Sequence, residues 1–257
     1  MRKCISMLVS LAIGISAFAP LSALAAEEEP VQISTPEELQ AAVTNGGTYK
    51  VADGVETFDC SELQLQIRGN VSTHLDLDLN GAEVIVDNDG FNFQNKECDA
   101  AIKNGVINGT GNYAVKTMAK TPSKLLLENI ETKGAKNGVA SANSYYTIDI
   151  KDSKIYGTTT GIAATMGYVT VTDSEVGAIT ADEASTLSIS GSTINAAGSG
   201  IAAYKTASAS LDGWVNGGTY NGVFALNSAS RTSLKIYGGL FSADPSKYLA
   251  DGRGAVF

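Results

Sequence analysis

A single imidazole, His74, and few basic side chains bound the chemistry this chain can do. One histidine excludes multi-histidine metal sites. No acid or nucleophile accompanies it in the local pattern, so His74 reads as a strand-entry residue rather than a catalyst. The acids that could act together are Asp149, Asp152 and Asp173, which neighbouring coils of a repeating chain could gather into an acid–base site for cutting polysaccharide. Such a site needs a basic partner in a groove, and the nearest arginine, Arg231, lies three coils further along. Asp152 stacked on Asp173 would crowd two like charges, raising one pKa or inviting a cation such as Ca2+. A tight bend calls for the same residue type, so a bend role and no cofactor is the expectation. Trp214 and Tyr237 fall at outward-type positions on consecutive coils, where they could form an aromatic platform against sugar rings. Ordinary edge packing is the alternative. Cys60 and Cys98 leave two alternatives open, one disulfide or two buried thiols.

Composition narrows the classes further. The 257 residues are 44% hydrophobic and 18% charged, with 27 glycines and 5 prolines. That is too apolar for a disordered chain, and no Gly-x-x period supports collagen. A net charge of −9 argues against nucleic acid or anionic membrane as a partner.

Residues 1–26 carry Arg2 and Lys3, an apolar stretch from about Met7 to Leu21 and the small-x-small Ala23-Leu24-Ala25. This is the pattern of a cleaved signal peptide, too short for a membrane span and interrupted by Pro20. Its removal takes Cys4 and makes the remainder more acidic. The expectation is an exported bacterial protein, secreted or at the cell surface, with no membrane span after cleavage.

A repeat decides the architecture. An aliphatic residue, any residue, then Asn, Asp or Gly, with a core-type residue five places after the first, occurs eight times at spacings of 18 to 26 residues. The bend positions are Gly81, Asn104, Asn129, Asp152, Asp173, Gly191, Gly217 and Gly238. Aliphatics two residues ahead give the period-two alternation of a strand with one face in a core. Asn, Asp and Gly tolerate the left-handed backbone that a sharp bend requires. A second signal, Gly followed by an aliphatic, recurs at Gly138, Gly161, Gly200 and Gly222. Short strands and bends in a repeat of roughly 22 residues, with no helix inside it, describe one turn of a parallel β-helix. The expectation is an all-β, single-stranded, right-handed parallel β-helix of about eight to nine coils. Thr35-Pro36-Glu37-Glu38 is a capping box that starts a short N-terminal capping helix, stopped by Asn45-Gly46-Gly47. The domain boundaries are then 1–26 leader, 27–48 capping segment, 49–243 β-helix and 244–257 C-terminal turn.

The segments ISTPEEL, DLNG and GGLFSADPSKYLADG, with HLDLDLNGAEVIV and the coils, resemble the pectate-lyase-like right-handed parallel β-helix superfamily. They are most similar to secreted and surface β-helix proteins of gut bacteria, and the likeness covers about residues 33–252. It implies a fold that hosts lyases, hydrolases, adhesins and spacers alike. The NTD, DD, GHG and RIK-like motifs of polygalacturonases, and the clustered carboxylates with an arginine base of pectate lyases, do not occur.

The outward columns concentrate no carboxylates. Lys103, Glu128 and Lys151 read as an alternating charge ladder on a solvated face. Thr170 and Thr172 resemble part of the threonine array of ice-binding solenoids, but the coils vary in length and ice binding is not expected. The functional expectation is a secreted non-catalytic module for adhesion or contact with extracellular polysaccharide or surface glycan, as a monomer or in end-to-end association. The alternative is a polysaccharide lyase or glycoside hydrolase using Asp149, Asp152 and Asp173.

Overall fold

The computed structural model describes residues 29–67, 73–87, 89–94, 97–118, 122–141, 146–203, 212–226 and 233–254. The expected leader lies outside these residues, as do Arg68 and Arg231. Within them the chain is a parallel β-solenoid with one short helix.

Three ladders of parallel strands run along it. The first joins Val31–Ile33, Gly47–Val51, Thr73–Asp78, the leading halves of Cys98–Gly109 and Ser123–Lys133, and Tyr146–Lys151. It continues through the trailing halves of Thr160–Thr172 and Ile179–Ser190 to Asp212–Asn216 and Ser233–Ile236. The second starts at Thr57–Cys60 and Glu83–Val86 and ends at Leu240–Phe241. The third starts at Gln66–Ile67 and Phe91–Phe93 and includes the expected Gly-aliphatic positions, with Val139 beside Ile162.

The bends form where the residue types allow them. The φ angle is 88° at Gly81, 57° at Asn104, 52° at Asn129, 49° at Asp152, 48° at Asp173, 60° at Gly191 and 71° at Gly217. Gly238 departs from the expectation, and Gly239 carries the positive φ instead. At the first coil the bend is doubled, because Asn80 is also left-handed at 51°. The strand therefore runs two residues further before turning, and Leu77, not Leu79, pairs with Ile102. Asp76 consequently lies beside Ala101 and Asp78 beside Lys103, two residues from the expected alignment.

The core follows the alternation. Leu75, Leu77, Ile102, Leu127, Ile150, Val171 and Ile189 fill it from the first ladder, and Val84, Ile107, Ile155, Val176 and Ile194 from the second. Thr132 holds a core position with 0% exposure. Its hydroxyl donates to the Tyr156 carbonyl at 2.9 Å and accepts from the Tyr156 amide at 3.0 Å, so its oxygen is not left bare in the interior. Cys60 and Cys98 are buried free thiols on different ladders, beside Val86 and Thr73 respectively. Burial pushes the Cys60 thiol up to about 12 and the Cys98 thiol up to about 11.

The two ends differ. The helix Pro36–Asn45 has the expected capping box, with the Thr35 hydroxyl accepting from the Glu38 amide at 3.2 Å and the Glu38 carboxylate accepting from the Thr35 amide at 3.2 Å. Leu39, Ala42 and Val43 are buried on its inner face, and the helix packs on the strands at 57–60, 66–67 and 73–78. It is not the first element, however. Val31–Ile33 precedes it and pairs with Gly47–Val51, so the first ladder extends past the first sequence match and the coil count departs slightly from eight to nine. At the other end a 3-10 turn, Ser246–Tyr248, folds back and Leu249 bridges to Ile236.

Candidate functional site

The bends stack into a seam. On its early coils the side chains bond outside the core. The Asn129 amide donates to the Asn104 oxygen at 3.0 Å, the Asn104 amide to the Asp78 carboxylate at 3.0 Å, and the Asn80 amide to the Asp53 carboxylate at 2.9 Å. On later coils the residue just after the bend turns inward as serine. The Ser153 hydroxyl accepts from the Ile130 amide at 3.1 Å, Ser174 from the Ser153 amide at 3.1 Å, and Ser192 from the Ser174 amide at 3.2 Å. Each hydroxyl donates to the carbonyl two residues back, namely Lys151, Thr172 and Ser190. These serines are 3%, 6% and 0% exposed. Buried backbone donors need partners, and this stack supplies them coil by coil. The reading of the bends missed it, although Ser follows the bend in DSKI, DSEV and GSTI.

Beside the seam runs a groove of about 490 Å³, lined by Asp78, Asn104, Asn129, Asp152, Glu131 and Lys154 among others. Next to Lys154 in the second ladder stands Glu175, which accepts from the Tyr156 hydroxyl and, at 3.1 Å, from the Asn195 amide. Those hydrogen bonds hold the Glu175 carboxyl below its ordinary value. Burial, with Glu175 second, raises the Tyr156 phenol.

The three candidate acids are divided between surfaces. Asp149 lies on the first face between Leu126 and Thr170. Asp152 lines the groove, and Asp173 occupies the next bend with a carboxylate oxygen only 2.1 Å from where a β-carbon on Gly191 would sit. Glycine at 191 is thus what allows that carboxylate to settle over the following coil. Among the described residues, no group of three His, Cys, Asp or Glu side chains converges to hold a metal. Lys103, Glu128 and Lys151 stand side by side in register as the expected charge column. The ion pair that Lys103 forms is with Asp76 at 2.9 Å, because the doubled first bend brings Asp76 two residues closer in register, and Glu128 joins no ion pair among the described residues.

His74 is exposed and has Asp99 beside it in register, with Glu97 lining the same shallow groove. That acid neighbour was hidden by the register slip. Trp214 sits in register between Ser188 and Lys235, whereas Tyr237 is two residues beyond Lys235 and 40% exposed. The two aromatics therefore belong to different columns.

The first face also holds a surface rich in hydroxyls. Thr147, Tyr168 and Thr186 form one row, Thr170 and Ser188 a second, and Thr172 and Ser190 a third. Adjacent coils set these side chains about 4.8 Å apart. Tyr168 is 59% exposed, and the Ser190 hydroxyl donates to that of Thr172 at 3.4 Å. The patch is uncharged, with Asp149 and Lys151 bordering it on the earlier coil and the Trp214 position on the later one. Among the described residues no helix is long and apolar enough to cross a membrane. No protein-family model, curated protein or solved structure matches the chain.

Proposed function

We propose that this chain is a secreted, non-catalytic β-solenoid of the pectate-lyase-like kind, serving a bacterium as an extracellular or cell-surface module that contacts carbohydrate. The observation that carries the reading is the first-face patch of Tyr168, Thr170, Thr172, Thr186, Ser188 and Ser190. Hydroxyls at a regular spacing can exchange hydrogen bonds with sugar hydroxyls, and an exposed phenol ring offers an apolar face to a pyranose ring. The absence of formal charge within the patch favours a neutral glycan over a uronate.

A second reading, a polysaccharide lyase or glycoside hydrolase, draws support from one feature. Asp152, Glu131 and Lys154 line a common groove, giving two acids and a base in a concave site. The two readings part in a single experiment with purified protein and a panel of neutral and acidic polysaccharides, with and without Ca2+. Retention without product, weakened by Tyr168→Ala, supports the contact module. Release of shortened or unsaturated oligosaccharides, abolished by Asp152→Asn, would replace it with the enzyme.

A further inference from the structure

A buried cluster on the third ladder belongs to neither the bend seam nor the hydroxyl face. Asn92 of Phe91–Phe93 stands in register with Lys116 of Tyr113–Thr117, so adjacent parallel coils set the two about 4.8 Å apart on one face. Asn92 is 1% exposed and the Lys116 side chain 13%. Gly90, at φ 56°, turns so close to the next coil that a β-carbon there would lie 2.1 Å from the Ala114 carbonyl, and this seats Asp89 beside both. One carboxylate oxygen of Asp89 accepts from the Lys116 ammonium at 3.1 Å and from the Asn92 amide at 3.2 Å. The Tyr113 ring backs the ammonium at 4.8 Å. The other polar atom of that amide, Asn92 Oδ1, is buried with no hydrogen-bond partner among the described residues. A buried amide oxygen left bare costs free energy, so a ladder role like that of Asn104 and Asn129 does not account for this side chain.

We propose that Lys116 and Asn92 join spontaneously in an isopeptide bond, with Asp89 as the proton carrier. Asp89 takes a proton from the Lys116 ammonium, and the freed lone pair of Nζ attacks Asn92 Cγ. The tetrahedral adduct collapses as the Cγ–Nδ2 bond breaks. Of the three ammonium protons, one stays on the new amide and two pass through Asp89 to the departing nitrogen, which leaves as ammonium. Asp89 ends ionised, and the step needs no oxidant. Strand register and the shared carboxylate oxygen hold nucleophile and amide together, so the attack is intramolecular. The second ladder repeats the trio in the open. Lys133 is in register with Asn108, and one Glu83 oxygen accepts from both, at 3.0 Å and 2.8 Å. There the Lys133 side chain is 44% exposed, and its bond with that of Asn108 holds the Glu83 carboxyl below its ordinary value, so the lysine keeps its proton. The proposed bond ties two successive coils of a chain in which Cys60 and Cys98 are free and lie on different ladders.

Intact-mass spectrometry of the purified chain tests this, followed by tandem sequencing of its proteolytic fragments. The expected result is a protein lighter by one ammonia than its sequence requires, with a branched fragment joining Asn92 to Lys116. Peptides carrying Asn108 and Lys133 stay separate. Lys116→Arg and Asp89→Ala should each restore the full mass and keep the β-rich circular dichroism spectrum. A folded protein that still has its full mass after prolonged incubation would overturn the proposal. So would an ammonia loss that persists in Lys116→Arg, since a succinimide at an Asn-Gly step such as Asn80-Gly81 sheds the same mass. Joining that survives Asp89→Ala, or that occurs equally at Asn108 and Lys133, would remove the parts given to Asp89 and to burial.

Discussion

The early and late halves of the bend seam meet one backbone demand by opposite means. At Asn104 and Asn129 the polar group lies outside the core and bonds side chain to side chain. At Ser153, Ser174 and Ser192 it lies inside and bonds side chain to backbone. An outside amide can exchange its partner for water, whereas an inside hydroxyl cannot. The contrast separates polar residues that hold the solenoid together from those left over for a ligand. The serines and the asparagine ladder are occupied with their own neighbours. The hydroxyls of the first face are spread across a patch open to solvent.

The largest expected effect is on the inside. Ser174→Ala removes the acceptor of the Ser153 amide and the donor to the Thr172 carbonyl, and should cost about 2 kcal/mol in denaturant unfolding. A cost near zero would mean that water enters the stack and would dissolve the distinction. Alkaline titration probes the same interior. In the unfolded chain the Cys60 and Cys98 thiols ionise near their ordinary value, while burial keeps them protonated to about 12 and about 11 in the fold. The folded state then binds more protons than the unfolded one. Stability is fully present below the ordinary thiol pKa and falls as pH rises toward 11, by up to roughly 1.4 kcal/mol per thiol per pH unit. The Cys60→Ala, Cys98→Ala double variant should flatten that slope.

On the outside the effects shrink. Asn129→Ala loses one exposed hydrogen bond and forces a left-handed alanine, for about 1 kcal/mol, while Asn129→Gly should be close to neutral. Equal costs for the two would place the ladder, not the backbone, in control of the bend. Smallest of all, Lys103→Ala breaks a surface pair with Asp76 and should move stability by less than about 0.5 kcal/mol, an effect that salt removes.

The solenoid was legible because a left-handed φ restricts residue type so strongly that Asn104, Asn129, Asp152 and Asp173 announce themselves. The doubled bend at Asn80-Gly81 was not, since either residue alone satisfies the pattern. That ambiguity hid the Lys103–Asp76 pair and the His74–Asp99 neighbours. The serine stack was visible as a residue type but not as a direction, because serine is at home on either side of a strand. Ice binding was set aside on varying coil length. The structure absorbs that variation elsewhere, through register shifts between Ala164 and Met166 and around Ser199, so Thr170 and Ser188 stay aligned.

The central claim is that the first face, not the bend seam, meets the ligand. It is tested most directly by affinity electrophoresis in gels containing the neutral polysaccharide that retains the parent protein, comparing Tyr168→Ala with Asp152→Gly. The account predicts that Tyr168→Ala migrates freely while Asp152→Gly is still retarded. Retardation lost with Asp152→Gly and kept with Tyr168→Ala would contradict it and move the site to the groove.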